Sequence, residues 1–188
     1  MDELKFAVIG NPVSHSLSPD IHLFFASQFQ LERYTYNKIK SNENDFERDI
    51  NDFFKNGGVG LNVTVPFKGL AYNLCDELDQ SAGLCKSVNT VLIDSGKLIG
   101  HSTDGQGLID DFLHKEITLE DSKILIIGAG GSAASIISSL LSHGKIKEIS
   151  ILNRTKSNAL RLLDLFETNR LLMHEEGDEY DIVINTTP

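Results

Sequence analysis

The chain has 188 residues, 40% hydrophobic and 23% charged, with a formal net charge of −10 and two cysteines. That length holds one ample domain or two small ones, and the composition is ordinary for a soluble globular protein. The negative charge argues against nucleic acid and anionic membrane as partners. No run approaches the ~20 apolar residues of a membrane span. The acidic start of the chain does not read as a secretory leader. Cys75 and Cys85 suggest neither a disulfide framework nor a zinc site, so reduced thiols, a cytoplasmic location and no metal are expected.

The first half alternates strand-like and helical patterns. Phe6-Ala7-Val8-Ile9 is an apolar run closed by Gly10-Asn11-Pro12, a strand and then a turn. Ser18-Pro19 opens a helix, with Ser18 placed as N-cap and Pro19 at the first helical position. Ile21, Phe24, Phe25 and Phe29 follow at helical spacing. Residues 34–39 read as a second strand. Asp45 begins a helix whose stripe is Phe46, Ile50, Phe53 and Phe54, and Gly57-Gly58 ends it. Residues 60–65 form a strand running into Pro66, and the pattern predicts a helix from there to about residue 78. Residues 88–93 and 97–99 flank Asp94-Ser95-Gly96, a hairpin signal. Residues 104–113 read as a connecting helix through Leu108, Ile109 and Phe112.

The second half changes style. Residues 123–127 are a fully apolar strand of the kind buried in parallel sheets. A Gly-rich turn leads into a small-residue helix over 132–142. Then come a strand over 148–152, a helix over 157–166 and a strand over 180–185. This β-α-β-α-β order is half of a Rossmann fold. The chain is therefore expected to be α/β, an N-terminal α/β substrate domain over 1–102 and an incomplete Rossmann-like domain over 103–188.

Gly128-Ala129-Gly130-Gly131-Ser132-Ala133 fits the G-x-G-x-x-G/A fingerprint. Gly128 allows the tight turn, Gly130 lets backbone approach a pyrophosphate, and Ala133 lets helix and strand pack closely. The helix N-terminus then offers N–H groups and partial positive charge to phosphates. The match follows an apolar strand and precedes a helix, the context that supports it. NAD sites usually carry Asp or Glu at the end of the second strand. This chain has Asn153-Arg154-Thr155-Lys156, with no carboxylate to repel a 2′-phosphate and a guanidinium able to bind one. NADP is thus expected over NAD.

Four polar groups fall at strand ends or helix starts: Ser14-His15-Ser16-Leu17-Ser18-Pro19, Asn62-Val63-Thr64-Val65-Pro66-Phe67-Lys68, Val88-Asn89-Thr90 and Ser102-Thr103-Asp104-Gly105. Each alone has a plain structural explanation, as a helix cap, a half-exposed strand or a surface charge. In order, and followed by Gly-Ala-Gly-Gly and Asn-Arg-Thr, they closely resemble the shikimate dehydrogenase family along the whole chain. The Asn-Val-Thr-Val-Pro-Phe-Lys block is the most specific element.

The resemblance implies a substrate domain and an NADP domain with the active site in the cleft between them. It also implies NADP-dependent, reversible reduction of 3-dehydroshikimate to shikimate on the route to chorismate and aromatic amino acids. Ser16 and Ser18 would bind the substrate carboxylate. Asn62, Thr64, Asn89 and Asp104 would bind ring hydroxyls, and Lys68 and Asp104 would be the catalytic pair. Gly128, Ala129, Gly130, Gly131, Ser132 and Ala133 would form the diphosphate turn, and Asn153, Arg154 and Thr155 the 2′-phosphate pocket. A ketone reduced by hydride leaves an alkoxide that needs a proton, and a lysine can donate it. A nearby carboxylate favours the charged ammonium, so Asp104 is expected to orient substrate and lysine.

The chain departs from the family pattern at four places. Ser102 stands where the family often has Asn, and little effect is expected because the acid is kept. Lys86-Ser87 replace the usual Gly-Ala. Asn158 stands where a second basic residue often follows Asn-Arg-Thr. Family chains also continue past residue 188, so a C-terminally truncated form is expected, which could bind ligands without turnover. A quinate- or NAD-using dehydrogenase is the other alternative. The family implies a monomer or homodimer.

Overall fold

The computed structural model describes residues 3–187. Among these residues the chain forms ten strands and seven helices. They gather into two compact units. One runs to Ala82 and takes in Val88–His101; the other holds Gly83–Ser87 and the chain from Ser102 onward.

Up to His101 the elements are β1 (Leu4–Gly10), α1 (Ser18–Gln28), β2 (Tyr34–Lys40), α2 (Phe46–Lys55), β3 (Gly58–Val63), α3 (Lys68–Leu74), β4 (Glu77–Leu78), α4 (Gln80–Cys85), β5 (Thr90–Asp94) and β6 (Lys97–His101). Their strands make one sheet in the order β2-β1-β3-β5-β6-β4. β1 lies between parallel neighbours β2 and β3, while β3, β5 and β6 pair antiparallel. The sheet is covered on both faces around β1, which is why Ala7, Val8 and Ile9 are all buried. Their side chains alternate. Ala7 and Ile9 pack with Phe46, Ile50, Phe54, Leu61 and Phe67 on one face, and Val8 packs with Val13 and Tyr36 on the other. α2 contributes Phe46, Ile50 and Phe54, four residues apart and therefore on one stripe.

Three local expectations are corrected here. Ser18 is not the N-cap of α1. It is the first helical residue, Leu17 holds the cap position, and no side chain caps the helix. The Ser18 hydroxyl is engaged instead with Ser16. The apolar stripe of α1 does not reach the core: Phe24 is 60% and Phe29 76% exposed, and Ala26 is the helix's buried residue. The helix predicted to about residue 78 stops at Leu74, because Cys75 turns extended. Asp76 then accepts the Leu98 N–H at 2.8 Å, Glu77 and Leu78 pair with β6 as β4, and the Asp79 carboxylate accepts the Ala82 N–H at 2.7 Å to start α4. The hairpin between β5 and β6 turns at Ser95 and Gly96 with φ of 51° and 80°, the positive pair of a type I′ turn.

From Asp104 onward come α5 (Asp104–His114), β7 (Lys123–Ile127), α6 (Gly131–His143), β8 (Glu148–Leu152), α7 (Lys156–Phe166), β9 (Leu171–Met173) and β10 (Ile182–Asn185). The sheet is all parallel in the order β10-β7-β8-β9. Ile124, Ile126, Ile137, Leu140, Ile149 and Ile151 are fully buried at its centre. The β-α-β-α-β half-Rossmann order is present, with the short β9 added between α7 and β10. Gly105 lets α5 approach α6: a Cβ there would fall 2.2 Å from the Ser135 carbonyl oxygen. β10 is an edge strand beside β7, and Val183 is 59% exposed.

Candidate functional site

Two polar constructions stand out, one in each unit. In the first unit the C-terminal ends of β1 and β3 bring the connections after them together. Thr64, just past β3, donates its N–H to the Ile9 carbonyl at 2.9 Å. Its methyl lies where a Cβ at Gly10 would fall, 2.3 Å away, so only glycine fits at the end of β1. Asn11 N–H bonds the Val65 carbonyl at 3.0 Å, and both Asn11-Pro12 and Val65-Pro66 are cis. Lys68 is the half-buried first residue of α3. Its carbonyl accepts the Val88 N–H at 3.0 Å, which ties the start of α3 to the segment carrying Asn89.

Two hydrogen-bonded groups stand in this unit. In the first, Ser16 Oγ donates to Ser18 Oγ at 3.1 Å. The second starts at Tyr36. Tyr36 Oη donates to Asn62 Oδ1 at 2.7 Å. Asn62 Nδ2 donates to Thr90 Oγ1 at 3.2 Å, and Thr90 Oγ1 donates to Asn89 Oδ1 at 3.2 Å. Asn62 and Thr90 are cross-strand partners of β3 and β5. Tyr36 is 5% exposed, and burial pushes its hydroxyl up to about 12. The His22 ring stacks on Tyr36 at 4.4 Å and 13°, and burial lowers its pKa from 6.5.

One pair thus joins Ser16 and Ser18, and a second network joins Asn62 and Asn89 through Thr90, while Thr64 and Lys68 lie on the connection that leaves β3. Sequence reasoning missed Tyr36 and His22, and named Thr90 in the Val88-Asn89-Thr90 group without giving it a role. The Tyr34–Tyr36 alternation places two aromatic side chains on one face of β2, but nothing in one dimension says which hydroxyl meets Asn62.

In the second unit, Gly128 ends β7 with φ of +113°. A Cβ on it would fall 2.3 Å from Thr186 Oγ1. Gly130 holds the N-cap position of α6 in extended conformation without a side-chain cap. A Cβ at Gly130 would meet nothing within 4 Å, so the turn is open on that side. Ala129 and Ala133 are buried, and Gly131 and Ser132 are partly exposed. Open backbone at the start of a 13-residue helix fits the pyrophosphate of a dinucleotide. After β8, Asn153 Nδ2 donates to the Thr155 carbonyl at 2.8 Å, which folds this loop around an exposed Arg154.

Asp104, the first residue of α5, accepts a hydrogen bond from Ser132 of the turn at 3.1 Å. The loop before it is pinned by buried small polar groups. Cys85 Sγ lies 3.3 Å from Ser102 Oγ, Ser102 Oγ donates to Ser135 Oγ at 2.8 Å, and Ser135 Oγ accepts the Gly105 N–H at 3.0 Å. Asp104, Leu108, Ser132, Ile136, Asn185 and Thr187 line one groove beside α5 and α6. Among the described residues no three His, Cys, Asp or Glu side chains gather as a metal site, and no helix is long and apolar enough to cross a membrane.

Comparisons with known proteins match this arrangement. A family model described as the shikimate dehydrogenase substrate binding domain matches residues 8–91, and one described as shikimate / quinate 5-dehydrogenase matches residues 112–188. A shikimate dehydrogenase (NADP(+)) of Acinetobacter baumannii is 41% identical over 190 residues, 97% of this chain and 72% of that protein. The crystal structure of shikimate dehydrogenase from Aquifex aeolicus superposes with a TM-score of 0.89 at 30% identity, covering 98% of this chain and 69% of that one. The Thermus thermophilus shikimate 5-dehydrogenase, solved in complex with NADP(H) and shikimate, gives a TM-score of 0.87 at 32% identity, covering 98% and 68%.

Proposed function

The chain belongs to the shikimate dehydrogenase family, and on that premise we propose that it catalyses the reversible, NADP-dependent reduction of 3-dehydroshikimate to shikimate. This step would serve chorismate and aromatic amino acid biosynthesis in the cytoplasm, with the enzyme a monomer or homodimer. The observation that carries the reading is the network joining Tyr36, Asn62, Thr90 and Asn89, with the hydrogen-bonded pair Ser16 and Ser18 in the same unit. It presents hydroxyls and amides at fixed spacing, which suits a small polyhydroxylated carboxylate.

In this reading Ser16 and Ser18 receive the carboxylate, and Asn62, Thr64, Asn89 and Asp104 receive ring hydroxyls. Lys68 and Asp104 are the catalytic pair. When bound, NADPH supplies the hydride. Lys68 Nζ gives a proton to the ring oxygen left electron-rich, and takes one back from the hydroxyl in the reverse direction. Asp104 would orient the ring hydroxyl, and its bond from Ser132 fixes the carboxylate's own orientation. Gly128 to Ala133 hold the diphosphate against the start of α6, with Gly130 giving the close approach. Asn153, Arg154 and Thr155 would hold the 2′-phosphate, the guanidinium supplying charge-assisted hydrogen bonds.

A second reading has NAD as cofactor, favoured by Asn158 standing where the family often has a second base, or quinate as substrate, in keeping with the family model described as shikimate / quinate 5-dehydrogenase. Purified protein given shikimate and NADP+ should produce NADPH absorbance. Parallel runs with quinate and with NAD+ rank the two readings. Ligand-induced thermal stabilisation without turnover would leave a binding form of the protein and remove the catalytic assignment.

A further inference from the structure

We propose that Ser135 of α6 is a positioning residue for the reaction, holding the backbone on both sides of Asp104 so that its carboxylate keeps one direction. The inference rests on the assignment of Asp104 to the catalytic pair given above. Ser135 is 2% exposed, so it is placed to act through Asp104 rather than on a ligand.

Its own basis is the geometry at the start of α5. Asp104 and Gly105 are the first two residues of that helix, and the first four N–H groups of a helix have no partner within it. Thr103 holds the cap position without a side-chain cap. The acceptor comes from another helix instead: Ser135 Oγ takes the Gly105 N–H at 3.0 Å. The same oxygen takes the Ser102 hydroxyl proton at 2.8 Å. One atom thus ties residue 102 before the carboxylate and residue 105 after it. Ser102 is itself buried, with the Cys85 thiol 3.3 Å from its Oγ. Hydrogen bonds so enclosed are costly to break, because no water replaces the lost partner.

α6 applies a second hold one turn earlier, where Ser132 donates to the Asp104 carboxylate at 3.1 Å. Ser132, Ser135 and Ser139 are spaced i, i+3 and i+7, so they share one face of the helix. α5 packs on that face: a Cβ at Gly105 would fall 2.2 Å from the Ser135 carbonyl oxygen and 2.4 Å from Ser139 Oγ. A stripe facing another helix this closely is ordinarily apolar. Here it carries hydroxyls, and two of the three bond the Asp104 segment. Ser132 sets the carboxylate and Ser135 sets the backbone beneath it, so the acid is oriented before a ligand arrives.

The test uses Ser135→Ala and Ser102→Ala, with Ser139→Ala as a control on the same face, assayed where circular dichroism shows folded protein. Ser135→Ala should lower kcat for shikimate oxidation about tenfold, with KM for NADP+ within about twofold of wild type. Ser102→Ala removes one of the two bonds that Ser135 accepts, so it should lose less, and it should add nothing on a Ser135→Ala background. Ser139→Ala should leave kcat unchanged. In the ligand-free protein, NMR should show the Asp104 carboxylate carbon resonance moved by Ser135→Ala, although that hydroxyl bonds residues 102 and 105. Should Ser135→Ala not fold, Ser102→Ala must move the same resonance. An Asp104 resonance indifferent to both substitutions, or equal losses of kcat in Ser135→Ala and Ser139→Ala, would overturn the proposal. Wild-type protein that does not oxidise shikimate would remove the functional reading, and the resonance would still decide whether Ser135 orients Asp104.

Discussion

Gly128 and Gly130 stand two residues apart in one turn, and the structure assigns them opposite vulnerabilities. At Gly128 the backbone sits at φ +113°, where side chains are rarely tolerated. A Cβ would lie 2.3 Å from Thr186 Oγ1 and 3.4 Å from the Thr186 carbonyl carbon. Thr186 cannot easily yield, because its N–H and its hydroxyl both bond the Ile127 carbonyl at 2.8 Å. Strain of about 1–3 kcal/mol for the dihedral and about 1–3 kcal/mol for overpacking give Gly128→Ala a loss of roughly 2–6 kcal/mol. For a chain of this size each kcal/mol lowers Tm by about 2–4 °C, so a fall of roughly 4–24 °C is expected. At Gly130, φ is −94° and a Cβ meets nothing within 4 Å. Gly130→Ala should therefore melt within about 0.5 kcal/mol of wild type. It should weaken NADP binding by about tenfold, ~1.4 kcal/mol, because the methyl occupies the space the phosphates need. Differential scanning calorimetry and cofactor titration on both variants check this. A Gly128→Ala protein as stable as wild type would refute the strain argument. An undiminished NADP affinity in Gly130→Ala would refute the open turn as a phosphate seat.

Arg154→Ala should reduce NADP affinity about 10- to 100-fold, the worth of one or two charge-assisted hydrogen bonds, and leave NAD affinity within about twofold; equal losses would remove the 2′-phosphate role. Lys68→Met should lower kcat by about 10²–10⁴-fold while shikimate still raises Tm, and a variant that turns over normally would dismiss Lys68 as proton donor. Burial lowers the His22 pKa from 6.5, so the unfolded chain takes up a proton first as pH falls. Stability is then lost on acidification below about pH 6.5, down to the folded-state value. The pH dependence of Tm should be shallower over this window in His22→Phe, which keeps a ring against Tyr36; an unchanged slope would show that His22 is not the group responsible.

Much of the fold was legible because some segments decide their own structure. Residues 123–127 and 148–152 form β7 and β8 over the predicted bounds, since Ile124 to Ile127 and the isoleucines at 149 and 151 mark strands whose apolar side chains are buried in a parallel sheet. The hairpin turn at Ser95-Gly96 was equally local. β4, α4 and β9 were not legible. β4 exists through pairing with β6, α4 through a cap from Asp79, and β9 is three residues paired with β8. Each depends on a partner distant in sequence. α1 misled for a related reason. Periodicity says that a stripe exists, not that something covers it, and Phe24 and Phe29 are exposed. The site divides the same way. Motifs named the polar residues that occupy loops and helix starts, whereas Tyr36 sits mid-strand between two exposed or half-buried neighbours and is recognised only through the Asn62 oxygen it meets.

The network also bears on how a chain of net charge −10 can hold anionic ligands. Charges more than ~8 Å from a bound ion are largely screened at physiological ionic strength, so the sum of surface acids matters less than what touches the ligand. What the two constructions offer is mostly neutral: the hydroxyls of Ser16, Ser18 and Thr64, the amides of Asn62 and Asn89, and the backbone N–H groups at the start of α6. Such donors stabilise an anion without placing a cation that would itself need burial and a counter-charge. In the proposed reading cations are few, Lys68 where a proton would move and Arg154 where an extra phosphate would be told from a hydroxyl. Neutral donors set by a fixed network suit a ligand whose carboxylate and hydroxyls keep constant spacing, because their pull is short-ranged and fails when the spacing is wrong.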